Sequence, residues 1–456
     1  MSAVASGLRA AAAALLLVAG ALPATGAIVQ AADVSFGTPE AAVTYDTSIV
    51  FSVPFTAASR VARVELRLGF PDSLGPYIVD VPAPASGGTH TLRYTLDLTG
   101  DGHLVPNTPI DVTWAAVSAD GTETTSRAQT VLYADTSHTW RTVSGSLVTV
   151  HWYDGTQAFA ERALEIGEKA IRDTSALLGV TESAKVDFFI YGDDTSFRDA
   201  LGPGTRENVG GQAHSDIRTL FALITPDTIN DPWVGIVIPH ELVHLVFDTA
   251  VRNPYRFPPR WFNEGLAVYL SEGFTSSDRG LVQDAVRTQD LIPLDALGGQ
   301  FPTDAQKTYL AYAESVSAID YLVRTDGKDA LLGLVKAYKD GLTDDEAFGR
   351  ALGRNLATFQ SGWLADLGAS APTRYGPQAA PAGPLPSGWT GPGQTFAPGA
   401  PSAAPGATAS GTTDGPRPAA TGTETDTRGL VVLAIVVAVV AVAIGLLLAR
   451  RRSPDR

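Results

Sequence analysis

After the N-terminal segment, apolar and polar side chains alternate along the chain with a period of two. The alternation is strict from Val64 to Leu68 and from Leu92 to Leu98, and looser from Ser48 to Phe55 and from Ile110 to Val117. Clusters of Gly and Asp separate these runs, as expected of turns. Period-two alternation is typical of strands with one buried face. We therefore predict an all-β sandwich domain over residues 32–140, immunoglobulin- or fibronectin-like in architecture.

Further along the chain the apolar period becomes that of a helix. Gln157 to Leu178 carries apolar residues on one face and charges on the other, and residues 233–368 are mainly helical in pattern. Two short apolar runs, Lys185 to Tyr191 and Arg218 to Ile224, predict strands. This mixture predicts an α+β domain over residues 141–370. Its later helices are predicted at residues 308–323, 328–339, 344–352 and 356–367.

The N-terminal segment has the pattern of a targeting sequence. A short stretch with one Arg is followed by an apolar run from Ala10 to Ala21 and then by small residues. The apolar run is shorter than the ~20 residues that a membrane-spanning helix needs. We therefore predict a secretory signal peptide over residues 1–31.

The C-terminal region predicts a linker and a membrane anchor. Residues 371–428 are almost entirely Ala, Pro, Gly, Ser and Thr, a composition that cannot bury enough apolar surface to fold. Residues 429–449 carry no charge, and a basic tail over residues 450–456 follows them. This pattern predicts a single transmembrane helix with its basic end in the cytoplasm, so that the folded domains lie outside the cell.

Composition excludes several functional classes. The formal net charge of −15 disfavours nucleic acid as a partner, because the phosphate backbone repels an acidic surface. The chain has no cysteine, which excludes disulfides, a cysteine nucleophile and a thiolate zinc site. Arginine outnumbers lysine in a chain rich in alanine and glycine, which favours a bacterial source.

An H-E-x-x-H motif at residues 240–244 carries the candidate chemistry. His240 and His244 are four residues apart, so on a helix both imidazoles face the same side and can reach one metal ion. A catalytic zinc site of this kind needs a third protein ligand and leaves one position for water. Glu264 follows His244 by 20 residues, in the first turn of a second predicted helix, and is the candidate for that ligand.

Residues 240–244, together with Asn-Glu-Gly-Leu-Ala at residues 263–267, resemble the gluzincin metallopeptidases, which include the thermolysin and aminopeptidase branches. Residues 151–367 as a whole are similar to bacterial peptidase MA-like domains. The resemblance implies an α+β metallopeptidase fold, one Zn²⁺ per chain and a protein or peptide substrate. It also implies that the metal is held by side chains of the two segments.

The resemblance assigns roles residue by residue. His240, His244 and Glu264 would be the zinc ligands, and Glu241 would be the catalytic base. Tyr312 matches a tyrosine that stabilises the oxyanion in aminopeptidase-type gluzincins, with Tyr309, one turn earlier, as the alternative. Asn263 and Asp248 are candidates to orient the imidazoles.

A weaker match concerns residues 210–214, Gly-Gly-Gln-Ala-His, which correspond to an edge strand of the aminopeptidases. Gln212 and Ala213 stand where those enzymes carry the glutamate that binds a free amino terminus. We therefore expect an endopeptidase. His214 is expected to be structural.

Two other functions remain open at this stage. The chain could be a surface-binding or adhesion protein that uses an inactive peptidase-like scaffold, because a β-sandwich and a linker suit that role. It could also be a zinc hydrolase that acts on an amide other than a peptide bond.

Overall fold

The computed structural model describes residues 34–99, 103–202 and 210–372. The predicted signal peptide, transmembrane helix and basic tail lie outside the described residues. The predicted linker also lies outside them, except for residues 371 and 372.

The N-terminal part consists of two antiparallel sheets. Its described strands, in chain order, are β1 (Val34–Phe36), β2 (Glu40–Thr44), β3 (Ser48–Ala57), β4 (Arg63–Gly69), β5 (Tyr77–Val81), β6 (Gly88–Asp97), β7 (Thr108–Val117), β8 (Glu123–Thr125) and β9 (Gln129–Tyr133). In one sheet β3 pairs with β1, β2 and β6, and in the other β4 and β7 pair centrally, with β5, β8 and β9 beside them. The β-rich N-terminal region is thereby confirmed.

The apolar positions of the alternating runs form the core between the two sheets. Phe51 and Phe55 of β3 and Leu66 of β4 are at most 1% exposed, and so is Trp114 of β7. Each such side chain contributes roughly 1.5–3 kcal/mol when it leaves water. The four strands with the longest alternation, β3, β4, β6 and β7, are the ones that the pattern predicted.

A mixed five-stranded sheet forms one layer of the second part. Its strands are β10 (Arg141–Ser144), β11 (Val148–Trp152), β12 (Val186–Tyr191), β13 (Gly211–His214) and β14 (Thr219–Leu223). The order is β10-β11-β12-β14-β13, with parallel pairing from β11 through β12 to β14 and an antiparallel strand at each edge. The predicted strand at residues 210–214 is therefore an edge strand.

Helices form the rest of the second part. They are α1 (Gln157–Leu178), α2 (Asp194–Leu201), α3 (Val234–Val251), α4 (Arg260–Ser271), α5 (Ser276–Thr288), α6 (Ala305–Lys339), α7 (Asp344–Leu352) and α8 (Leu356–Asp366). Gly327 interrupts α6 with a φ of +84°, which separates the two helices predicted for this stretch. Among the described residues, α3 is long and apolar enough to cross a membrane, but 56% of that segment is buried inside the domain. We interpret α3 as a core helix.

The two parts of the chain contact each other through polar and aromatic side chains. Asn107 donates to the Thr219 hydroxyl at 2.9 Å, and the Tyr191 hydroxyl donates to Asp135 at 2.9 Å. Arg252, just after α3, pairs with Asp72 of the sandwich at 3.0 Å. The first two of these contacts place the sandwich on the face of the mixed sheet that carries Tyr191.

Gly265 determines how closely α4 packs against α6. A Cβ atom at this position would lie 2.5 Å from the carbonyl oxygen of Ser315 and 2.6 Å from its carbonyl carbon. Real Cβ atoms do not approach backbone so closely, so any side chain here would force the two helices apart. The glycine that follows Glu264 in the sequence is thus a packing requirement of this helix pair.

Glu314 of α6 is fully buried, and its carboxyl group accepts the backbone N–H of Ile292 at 3.0 and 3.2 Å. Burial raises the pKa of this carboxyl well above its usual range. The folded protein therefore binds this proton more tightly than the unfolded chain does. As the pH rises above about 4.5, the carboxyl of the unfolded chain ionises first, so this group lowers the stability of the fold.

We predict that Glu314→Gln stabilises the protein at pH 8 but not at pH 4. Glutamine keeps an acceptor for Ile292 and never ionises, and each unit of pKa difference is worth about 1.4 kcal/mol. Thermal unfolding of both proteins at the two pH values measures the effect. A difference in melting temperature between the two proteins that is the same at pH 4 and pH 8 would contradict this account of Glu314.

Candidate metal centre

Helix α3 carries both histidines of the motif. His240 and His244 are partly buried, one turn apart, while Leu242 and Val243 between them pack into the core. The helix begins at Val234, so Pro239 lies in its second turn.

Helix α4 brings the predicted third ligand to the same place. Glu264 is 7% exposed, and its Oε2 atom lies 3.7 Å from Nε2 of His240 and 3.5 Å from Nε2 of His244. The two Nε2 atoms are 3.2 Å apart. The structure thus brings together the three side chains predicted as ligands, with one donor atom of each within 4.8 Å of the others.

The donor set fits a zinc ion. Zinc prefers nitrogen and oxygen donors at about 2.0–2.1 Å in tetrahedral geometry, which sets the donor atoms about 3.3–3.4 Å apart. The observed separations of 3.2, 3.5 and 3.7 Å lie close to that value. Two neutral imidazoles and one carboxylate also leave one tetrahedral position for water, as a catalytic site requires.

The electrostatics of the site favour binding of a cation. Burial alone would raise the pKa of Glu264, but its interactions with the two nearby imidazoles hold that pKa well below its usual range. Burial alone would lower the pKa of His244, but its interaction with the Glu264 carboxylate raises that pKa to about 9. Without a metal, positive charge on His244 therefore stabilises the buried carboxylate, and a metal ion would take over that role.

Asn263 orients one of the imidazoles. Its Oδ1 atom lies 2.9 Å from Nδ1 of His244, so Nδ1 carries a proton and Nε2 is the atom that faces the other candidate ligands. Asp248, the other candidate for this role, instead pairs with Arg252 at 3.3 Å.

Glu241 is held by the edge strand of the sheet. Its Oε2 atom accepts the backbone N–H of Ala213 at 3.0 Å. A Cβ atom at Gly211 would lie 3.3 Å from the Glu241 side chain and 3.2 Å from Val237, so the glycine lets β13 approach α3 closely. Burial raises the pKa of Glu241, and the charges of His240 and His244 oppose this shift.

The two tyrosine candidates differ in their surroundings. Burial raises the pKa of Tyr312, and the nearby charges of Glu264, Arg260 and Glu241 also affect this pKa. For Tyr309 burial alone raises the pKa. Tyr312 therefore faces the candidate metal centre, whereas no interaction of this kind links Tyr309 to it.

His214 lies on the edge strand and outside the group of ligands. Burial lowers its pKa, and its ring packs edge-on against Phe221 at 5.5 Å.

The sequence analysis did not identify Arg260. Its guanidinium contacts Oε1 of Glu264 at 3.1 Å, and it lies over the ring of Phe301 at 5.0 Å. The sequence pattern places Arg260 in the Pro-rich turn before the second predicted helix, whereas α4 begins at Arg260, and residues four apart on a helix meet on one face.

Solved structures match the chain weakly. An aminopeptidase N family protein from Idiomarina loihiensis aligns over 72% of this chain and 77% of its own, with 11% identity and a TM-score of 0.41. An M1 zinc metallopeptidase from Deinococcus radiodurans aligns over 73% and 92%, with 15% identity and a TM-score of 0.35. The alignment with OgpA from Akkermansia muciniphila covers 22% of this chain and 28% of that protein, with 12% identity and a TM-score of 0.19. TM-scores this low support no further inference about the chain.

No curated protein matches the chain. Residues 167–369 match a family described as the Peptidase MA superfamily. The matched region runs from within α1 to just beyond α8, and it contains both histidines of the motif, Glu241 and Glu264. The predicted resemblance to the peptidase MA-like domains of the gluzincin metallopeptidases is thereby confirmed over this region.

Proposed function

We propose that the protein is a zinc-dependent endopeptidase that hydrolyses protein or peptide substrates. The observation that carries this proposal is the meeting of His240, His244 and Glu264 at distances suited to zinc, with Glu241 held beside them. A zinc ion held by these three side chains would lower the pKa of a bound water and polarise the carbonyl of the scissile bond.

Glu241 is placed to act as the general base. It precedes His244 by one turn and lies next to His240, so its carboxylate borders the side chains that hold the metal. The Ala213 N–H donates to one oxygen of the Glu241 carboxylate, Oε2. The other oxygen can then accept a proton and pass it to the leaving amine. Burial raises the pKa of Glu241 from its usual value toward neutral pH, and a general base is most effective when its pKa lies near the working pH.

Tyr312 is placed to donate a hydrogen bond to the developing oxyanion. Its raised pKa keeps the hydroxyl protonated, as a donor must be. A donor of this kind is worth about 3–4 kcal/mol in the transition state.

Strand β13 supplies a docking edge for an extended substrate. Leu223 donates to the Gly210 carbonyl, so alternation along the antiparallel pair turns the backbone groups of Gly211 and Ala213 away from β14. The Ala213 N–H is taken by Glu241, which leaves the two carbonyl oxygens and the Gly211 N–H for a substrate backbone. Main-chain pairing of this kind needs no free terminus, which favours internal cleavage.

The proposal includes a location outside the cell. The signal-peptide pattern of residues 1–31 and the apolar segment 429–449 with its basic tail support a single-pass membrane protein of bacterial origin. In that arrangement residues 371–428 would link the peptidase domain to the membrane.

We predict that Glu264→Ala and Glu241→Gln separate metal binding from turnover. Loss of the Glu264 carboxylate removes a ligand, so zinc content should fall together with cleavage of an unfolded protein such as casein. Glu241→Gln should retain zinc and lose roughly 10²–10⁴-fold in kcat, because the amide cannot take the proton. Metal analysis and casein cleavage by the purified protein measure both effects.

Glu165→Gln is the matched control, because this glutamate is 70% exposed on α1. It should change neither zinc content nor cleavage. An active Glu241→Gln variant, or equal loss of zinc in both site variants, would contradict the assigned roles. Zinc binding without any cleavage by the unmodified protein would favour a binding protein with an inactive scaffold.

We also predict that an acetylated amino terminus does not protect a peptide from cleavage. Gln212 and Ala213 occupy the positions where the aminopeptidases carry their amine-binding glutamate, so the substrate should not need a free amine. Mass spectrometry of the products of matched free and acetylated peptides measures the cleavage sites. Removal of single residues from the free peptide, with the acetylated peptide intact, would show an aminopeptidase instead.

A further inference from the structure

Arg260 is the first residue of α4 and lies one turn before Glu264. Its Nη2 atom is 3.1 Å from Oε1 of Glu264, whereas Oε2 of the same carboxylate faces the two imidazoles. The two oxygens of Glu264 are therefore divided between a guanidinium and the histidine pair. This division fixes the plane of the carboxylate and determines which oxygen it presents to the histidines.

Arg260 also lies next to Tyr312. Both side chains pack on Phe301, which is 2% exposed: the guanidinium carbon is 5.0 Å from the centre of that ring, and the Tyr312 ring meets it edge-on at 5.1 Å. The charge of the Arg260 guanidinium also acts on the neighbouring Tyr312 hydroxyl. One guanidinium thus reaches the candidate metal ligand and the candidate oxyanion donor.

The surroundings of Arg260 are costly for a purely structural residue. The side chain is 32% exposed, and its Nε atom is buried without a hydrogen-bond partner. An incompletely bonded buried donor destabilises the fold by about 1–3 kcal/mol. The backbone N–H of Arg260 donates to the carbonyl of Gly298 at 2.9 Å. Any residue except proline at position 260 could make this bond. The reason for an arginine at this position therefore lies in its side-chain contacts with Glu264 and Phe301.

We propose that Arg260 is a positioning residue that fixes Glu264 for metal binding and Tyr312 for oxyanion stabilisation, with Phe301 holding the guanidinium in place. The planar guanidinium suits this role because its donors point in fixed directions and it packs on an aromatic ring. Lysine carries a compact charge without that geometry. The inference rests on the proposed function, because both partners of Arg260 are parts of the proposed active site.

Two substitutions test the metal-binding half of the proposal. Arg260→Met removes both contacts, so zinc affinity should fall about 10–100-fold, as is typical when a partner of a metal ligand is lost. Arg260→Lys keeps a positive charge near Glu264, so it should recover most of that affinity. Competition with a chromophoric chelator measures zinc affinity without any reference to activity.

Kinetics test the Tyr312 half. Both Arg260 variants should lose kcat with little change in KM, because Lys cannot hold Glu264 and Tyr312 together. The loss in Arg260→Met/Tyr312→Phe should be smaller than the product of the losses in the two single variants, because Arg260 acts on the oxyanion through Tyr312. Arg256→Met is the matched control, because it makes the same change at an exposed position four residues earlier. It should alter neither zinc affinity nor kcat.

Several outcomes would overturn the proposal. Unchanged zinc affinity in Arg260→Met would contradict the role of Arg260 in metal binding. Full kcat in Arg260→Lys would contradict its role in turnover. Losses of kcat that multiply in the double variant would show that Arg260 does not act through Tyr312. Thermal unfolding establishes that each variant is folded, and Arg260→Lys provides the test if Arg260→Met does not fold. Failure of the proposed function is distinguishable, because the unmodified protein would then bind no zinc or cleave no peptide.

Discussion

The packing of α4 against α3 on one side and α6 on the other is the constraint on which the candidate metal centre depends. Gly265 lets the backbone of α4 approach Ser315 of α6 at a distance that no side chain would permit. Glu264, the preceding residue, then faces α3 and its two histidines. A small displacement of α4 would separate the donor atoms, whose spacing must match a tetrahedron about 3.3–3.4 Å on an edge.

The polar side chains of the site are fixed by partners outside the group of ligands. Asn263 holds His244, the backbone of Ala213 holds Glu241, and Arg260 holds Glu264. These partners come from α4 and from the edge strand, so the site joins the sheet to the helices that cover it. A buried carboxylate and two imidazoles would be costly to assemble without such contacts, because each loses water when it is buried.

The sequence predicted the candidate ligands because their spacing follows from helix geometry. Two residues four apart share a helix face in any context, and Glu264 follows at an interval that a helix end and a Pro-rich turn can fill. The strands β3, β4, β6 and β7 were predictable because their alternation of apolar and polar residues persists over several residues. The strands β1 and β8 have three residues each, too few for a period to be recognised, and β2 (Glu-Ala-Ala-Val-Thr) lacks a clear alternation of apolar and polar residues.

Other features depend on tertiary contacts that a linear pattern does not encode. The use of the Ala213 N–H by Glu241 requires that β13 lie at the sheet edge beside α3, which depends on the strand order. The assignment of Tyr312 rather than Tyr309 to the site depends on how α6 is rotated about its axis. Asp248 had a suitable position in the sequence but pairs with Arg252, which lies one turn further along.

The most direct test of this account is an anomalous difference map, recorded at the zinc absorption edge, from crystals of the protein grown with zinc. The account predicts one strong peak per chain, about 2.0–2.2 Å from Nε2 of His240, Nε2 of His244 and Oε2 of Glu264. A peak held by other residues, or no peak between α3 and α4 in the folded protein, would contradict it.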